Sequence, residues 1–133
     1  MSTVHCHRTE ALADPTALRA MLEAAFAGGF READWQHALG GWHFLVEEEG
    51  RPVAHAAVVE RTLYLAASAV AAAYVEAVAT HPGHRGLGHA TRVMRCVGAF
   101  VAADYELGGL SAGIPGFYER LGWRLWRGST YVL

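Results

Sequence analysis

Two groups of residues in this chain have types and spacing that could do chemistry. The first is Arg85-Gly86-Leu87-Gly88-His89-Ala90, which lies where an apolar run gives way to a loop and then to a helical pattern. Gly86 and Gly88 carry no Cβ, so their backbone N–H groups can approach an anion closely. The helix that follows aims its unpaired N–H groups and the positive end of its dipole at the same place. Arg85 adds a cation. Together these residues make a pyrophosphate cradle, although the glycines alone would equally fit a plain loop entering a helix. Two familiar phosphate motifs are excluded: all eleven basic residues are Arg, so no P-loop lysine exists, and Gly83, Gly86 and Gly88 lack the spacing of the dinucleotide fingerprint.

The second group centres on Glu76, a carboxylate inside the apolar run Ala73 to Ala79. A charge is out of place there unless it faces a cleft or pairs with a structural Arg. In a cleft, burial would raise its pKa toward the range useful for a general base. Histidines offer less. His81, His84 and His89 have no Cys or carboxylate at ligand spacing and read as exposed loop residues, and His5 and His7 alternate on one strand face, so no metal is expected. Cys96 reads as an inert mid-helix thiol. No Ser-His-Asp or Cys-His arrangement supports a covalent acyl-enzyme.

These residues need a scaffold, and the patterning supplies one. Thr3 to Thr9 reads as an edge strand. Asp14-Pro15 starts a helix whose apolar face is Leu18, Met21, Leu22, Ala25 and Phe26, ended by Gly28-Gly29. Arg31 to Leu39 reads as a second helix stopped by Gly40-Gly41. A hairpin follows, Trp42 to Glu48 and Val53 to Leu65, turning at Gly50. Ala73 to Thr80 reads as a central strand, Gly86 to Ala102 as a helix, Leu107 to Ser111 as a strand and Pro115 to Leu121 as a short helix. Trp123 to Trp126 and Thr130 to Leu133 close with a hairpin. The order is βααβββαβαββ: an α/β fold with a mixed sheet, antiparallel first and parallel at the centre.

Length and composition bound the rest. The 133 residues fit one domain, 1–133, with 53% hydrophobic content and a net charge of −2. The charge argues against a nucleic-acid partner, and no apolar run reaches membrane-span length. A polar start from Met1 to Glu10 lacks a signal core, and two cysteines without CxxC spacing fit a reducing compartment, so a cytoplasmic location is expected. Trp42, Trp123 and Trp126 could form an apolar surface that a second copy would cover as a homodimer.

Arg85-x-x-Gly88-x-Ala90, preceded by a strand and His-Pro, resembles the signature of the GCN5-related N-acetyltransferases. Phe117-Tyr118-Glu119-Arg120-Leu121-Gly122-Trp123 resembles that family's second landmark. The resemblance implies acetyl-CoA bound between two splayed central strands, with Arg85, Gly86, Leu87, Gly88, His89 and Ala90 on the pyrophosphate and Val78 and Thr80 on the strand beside it. It further implies Tyr118 as the acid for the departing thiolate and the Val78 backbone N–H as the oxyanion donor, with Glu76 as the base. A second resemblance, from about residue 21 onward, is to aminoglycoside 2'-N-acetyltransferases. It rests on AFAGGFREADWQHALGGWHFLV, AHAAVVERTLYL, YVEAVAT and YELGGLS, and implies an acceptor site at Asp34, Trp35 and Glu76. The chain departs from that pattern at Gly29, where the family carries an acidic residue. It departs again in a shorter Ser111 to Gly116 segment, and family members continue past the position of Leu133. Weak acceptor binding is therefore expected, with Glu32, Asp34, Glu76 and Glu106 as the available carboxylates. Two other functions fit the same fold: acetylation of another small amine or a protein N-terminus, and acyl-CoA binding without catalysis.

Overall fold

The computed structural model describes residues 3–113 and 116–133. The elements run β1 (Val4–Arg8), α1 (Pro15–Ala25), α2 (Glu32–Ala38), β2 (Trp42–Glu48), β3 (Arg51–Leu65), β4 (Ser68–Thr80), α3 (His89–Asp104), β5 (Gly108–Ser111), α4 (Phe117–Arg120), β6 (Arg124–Arg127) and β7 (Thr130–Val132). Seven strands form one sheet in the order β1-β2-β3-β4-β5-β7-β6. Neighbours are antiparallel except for β4 and β5, which are parallel. This is the expected element order and the expected mixed sheet.

Local chemistry explains the boundaries. Asp14 Oδ1 accepts from Ala17 N–H at 3.0 Å and Pro15 opens the first turn, so α1 starts where the sequence predicts. Asp34 Oδ2 accepts from Arg31 N–H at 2.8 Å and caps α2 from within its own first turn. Glu49 at φ 52° and Gly50 at φ 75° turn the chain from β2 into β3. Most boundaries fall within two residues of expectation, and two differ by more. The strand β4 begins at Ser68, not Ala73, because Ala66 (φ 48°) and Ala67 (φ 69°) make a tight turn and β3–β4 is a long hairpin. Helix α3 begins at His89, not Gly86, because Gly86 and Gly88 both take left-handed φ and form the turn ahead of it. The expected start of α4 at Pro115 lies outside the described residues.

Each face of the sheet has its own core. On one, Val93, Met94, Val97 and Val101 of α3 pack on Phe44, Val46, Val58 and Val75, with Leu110, Trp123 and Tyr131. On the other, Leu18, Met21 and Leu22 of α1 and Trp35 of α2 pack on Leu45 and Ala79. The packing revises the tryptophan surface expected for a homodimer. Trp123 is 2% exposed in the core, and Trp42 is half-buried against Phe100 with the Arg8 guanidinium 4.6 Å above its ring. Only Trp126, beside Leu125, remains an exposed apolar ring of the three.

Of the glycines in the first half of the chain, Gly41 leaves the least room for a Cβ. A Cβ there would stand 2.0 Å from the Val58 carbonyl oxygen, so β3 would have to move. Gly41→Ala is expected to destabilise the protein by about 1–3 kcal/mol, the usual cost of forcing atoms into a packed site, read as a lower midpoint in thermal or chemical unfolding.

Candidate active site

The sheet opens where its strands stop pairing. Parallel pairing of β4 with β5 covers Ala73–Gly108, Tyr74–Gly109 and Val75–Leu110, and β4 runs on to Thr80 with no registered partner on that side. Beyond the last pair, Ser111 pairs with Thr130 of β7. The two strands thus splay, and Tyr74 Oη and Ser111 Oγ bridge the base of the opening at 2.7 Å.

Two cavities occupy the opening. One, of about 450 Å³, is lined by Phe26, Gly29, Phe30, Asp34, Glu76 and Ser111, among others. The other, of about 680 Å³, is lined by Thr80, Arg85, Gly86, Gly88, His89 and Ala90, among others. Phe26, Val78 and Tyr118 line both, so the chambers meet at those three residues.

The second chamber contains the glycine turn. Gly86 (φ 80°) and Gly88 (φ 81°) bring the backbone around, and Gly88 caps the 16-residue helix α3 without any side-chain partner. The first amides of α3 therefore have no intrahelical acceptor. Arg85 donates to the Ala25 carbonyl at 2.9 Å, tying the turn to the end of α1. His89 is not the exposed loop histidine expected: it is the first residue of α3, 5% exposed, with its ring against Arg92. Burial, then the Arg92 charge, holds its pKa below the ordinary value. Leu87 is 60% exposed and lines a separate cavity beside α1.

At the junction, Tyr118 of α4 rests against Phe117 and Tyr131. Burial pushes its hydroxyl up to a pKa of about 12, so it keeps its proton throughout the neutral and mildly alkaline range. On the first chamber's wall, Glu76 is not held by apolar burial. Arg61 Nη2 donates to its Oε1 at 2.9 Å, with both side chains partly exposed, and Oε2 has no protein partner among the described residues. The Arg61 guanidinium also lies 5.5 Å from the Tyr74 ring centroid. Of the four expected carboxylates, Asp34 and Glu76 line this chamber, whereas Glu32 pairs with Arg19 at 2.9 Å and Glu106 is exposed away from its lining. Trp35, grouped with Asp34 in the sequence, is 8% exposed in the α1–α2 core and does not line the chamber.

Between Glu76 and Val78 the strand β4 bulges. Ala77 takes φ 52°, and the β3–β4 register slips between His55 and Ala57. Such a backbone costs an alanine about 1–2 kcal/mol, so other contacts must hold it. One is His55, whose Nδ1 lies 2.8 Å from the Ala77 carbonyl oxygen. His55 and its neighbour His43 are 1% and 0% exposed, and sequence reasoning passed over both. The available signal was the one that exposed Glu76: a polar residue inside an apolar strand run, here His43 in WHFLV and His55 in VAHAAVV.

Burial pushes the pKa of His43 down to about 4 and that of His55 to about 3. Both rings are neutral in the folded state but take a proton near pH 6.5 once unfolded. The unfolded state therefore binds more protons between about pH 6.5 and the folded values, and stability falls as pH drops through that window. Denaturant unfolding is expected to show lower stability at pH 5 than at pH 7, and His43→Phe, where it folds, is expected to flatten that slope.

A mixed sheet opened at its parallel pair, with a glycine turn and a bare helix N-terminus lining the opening, makes an α/β cleft whose backbone amides could hold an anionic group. The chain belongs to the GNAT acetyltransferase family: the model of the acetyltransferase (GNAT) domain matches residues 11–126. It is 46% identical over 117 residues to an aminoglycoside 2'-N-acetyltransferase of Mycolicibacterium fortuitum, covering 86% of this chain and 60% of that protein. The chain thus spans about three-fifths of that relative's length. Its fold is shared with a GNAT family acetyltransferase from Brucella melitensis solved with acetyl-CoA, at a TM-score of 0.74 and 20% identity, over 98% of this chain and 87% of that one. It is shared also with the GNAT family N-acetyltransferase YhbS from Escherichia coli in complex with CoA, at a TM-score of 0.72 and 15% identity, over 98% and 79% of the two chains.

No helix among the described residues is long and apolar enough to cross a membrane, and no group of three metal-ligating side chains occurs among them.

Proposed function

We propose that this chain transfers an acetyl group from acetyl-CoA to a primary amine, the 2'-amine of an aminoglycoside. The observation that carries the reading is the meeting of the two chambers at Val78 and Tyr118, with the glycine turn in one and Glu76 in the other. A thioester entering from the turn and an amine entering beside Glu76 would face each other there. The acceptor class is supported by the 46% identity to an aminoglycoside 2'-N-acetyltransferase and by the two carboxylates, Asp34 and Glu76, that line the acceptor chamber.

In this reading the turn at Gly86–Gly88 and the first amides of α3 hold the pyrophosphate, with Thr80, Ala90 and the loop around Arg85 flanking it. Glu76 Oε2 takes the ammonium proton of the acceptor, directly or through a water. The amine nitrogen then attacks the thioester carbonyl. The Val78 N–H stabilises the tetrahedral oxyanion, the Tyr118 hydroxyl gives its proton to the departing sulfur, and the second nitrogen proton, lost as the intermediate collapses, passes through water to restore Tyr118. The products are the acetamide and free CoA.

The cosubstrate half is tested at Gly88. A Cβ at Gly88 would sit 3.4 Å from Arg92 Nη1, and the left-handed φ disfavours any branched residue. Gly88→Val is expected to weaken acetyl-CoA binding about tenfold or more in isothermal titration, which corresponds to about 1.4 kcal/mol. Unchanged affinity in a variant with native circular dichroism would move the cosubstrate elsewhere. The acceptor half is tested by thiol release from acetyl-CoA across aminoglycosides, polyamines and amino-acid amides. Release with an aminoglycoside is expected. Release with simple amines alone would replace the acceptor class and keep the transferase.

A further inference from the structure

A continuous chain of hydrogen bonds runs through the sheet to the bulge beside Glu76, and its proton positions are fixed from the carbonyl at that end. At one end the Ala77 carbonyl can only accept, so His55 Nδ1, 2.8 Å away, carries the hydrogen. His55 Nε2 is then an acceptor, and His43 Nδ1, at 2.9 Å, must donate to it. His43 Nε2 is an acceptor in turn and receives the Thr9 hydroxyl hydrogen at 2.7 Å. At the far end Thr9 Oγ1 accepts the Gly40 N–H at 2.9 Å. Each ring nitrogen has one assigned role, and a second proton on His55 would meet the His43 Nδ1–H donor. The chain joins the start of the fold, just after β1, to β2, β3 and the bulge of β4.

We propose that His55, oriented by His43 and Thr9, is a positioning residue that holds Ala77 in its left-handed conformation and thereby aims Glu76 and the Val78 N–H into the cleft. The inference rests on the acetyl-transfer reading for what Glu76 and Val78 do. Its physical basis is separate. Ala77 lies at φ 52°, where an alanine does not stay without support, and its carbonyl is held by a histidine side chain. Glu76 and Val78 flank Ala77, so a bulge that relaxes to an ordinary strand turns one of them to the opposite face.

The test combines a readout that needs no acceptor with one that does. Nitrogen-15 histidine spectra of the wild-type protein at pH 7 are expected to show His43 and His55 each as a single Nδ1–H tautomer. Backbone shifts and couplings are expected to report a left-handed Ala77. His55→Leu removes the donor and is expected to let Ala77 average toward extended values. With tobramycin and acetyl-CoA, its kcat is expected to fall by about 10²-fold, the scale of a 1 Å misplacement, at nearly unchanged KM for acetyl-CoA. His55→Asn places an amide N–H near the Nδ1 position and is expected to restore the left-handed Ala77 and most of kcat. If His55→Leu does not fold, His43→Phe takes its place: it removes the donor to His55 Nε2, and Ala77 is expected to average toward extended values. An Nε2–H tautomer at His55 overturns the proposal. So does a folded His55→Leu, or a folded His43→Phe, with Ala77 still left-handed and kcat intact. Absence of tobramycin turnover in the wild type retires the acceptor reading instead, and the spectra then decide the positioning role alone.

Discussion

Glu76→Gln is expected to lower kcat by about 10²- to 10⁴-fold, the range usually lost with a positioned general base, while leaving acetyl-CoA affinity near the wild-type value. Gln keeps the size and can still meet Arg61, so the acceptor chamber retains its shape. What it loses is the lone pair that takes the ammonium proton. The stability cost is expected to be small, about 0–1 kcal/mol, because the Arg61–Glu76 pair is partly solvated, with side chains 35% and 26% exposed. The separation of effects is the test. A large fall in kcat with native stability places the base at Glu76. A fall in stability with kcat intact makes Glu76 a structural partner of Arg61 and moves the proton acceptor to water or to another carboxylate.

Tyr118→Phe is expected to lower kcat by about 10²-fold with little change in KM for acetyl-CoA, since the lost proton donor acts only as the carbon–sulfur bond breaks. The substitution removes one oxygen and keeps the ring, which packs on Phe117 and Tyr131, so the core is expected to hold. With its pKa raised to about 12, Tyr118 stays protonated through the alkaline assay range, and an alkaline fall in rate below about pH 10 would have another source. A Tyr118→Phe enzyme with full kcat would return this residue to a packing role.

Much of this scaffold is legible in the chain. Asp14-Pro15, Gly28 and Gly40-Gly41 mark helix ends by mechanisms that act within a few residues, and Glu49-Gly50 marks a hairpin, so those elements fall where local chemistry puts them. Residues 66–72 are harder to read. AASAVAA has no alternation, weak strand formers and no Gly or Asn, and the turn at Ala66-Ala67 forms because two long strands pair on either side of it. The splay of β4 from β5 is tertiary, set by where three paired residues end, and only a family resemblance pointed to it. The residues grouped at the cleft were also unevenly readable. Glu76, Tyr118 and the glycine turn stand out by type and motif. Trp35 does not reach the cleft because its helix face turns to the α1 core. Arg61 is fifteen residues from Glu76 in sequence and meets it only across the β3–β4 hairpin. His43 and His55, twelve apart, meet only across β2 and β3.

In the reading proposed above, the cleft transfers acetyl to the 2'-amine of an aminoglycoside. The most direct measurement is thiol release from acetyl-CoA with two acceptors that differ at that position: tobramycin, which has a 2'-amine, and kanamycin A, which has a 2'-hydroxyl. Two lining carboxylates give a modest hold on a polycation, so saturation is expected only at high acceptor concentration and weaker still in added salt. The predicted result is turnover with tobramycin, none with kanamycin A, and an acetamide on the tobramycin 2'-nitrogen. Equal rates with both acceptors, or turnover of a simple amine with neither aminoglycoside acetylated, would contradict it.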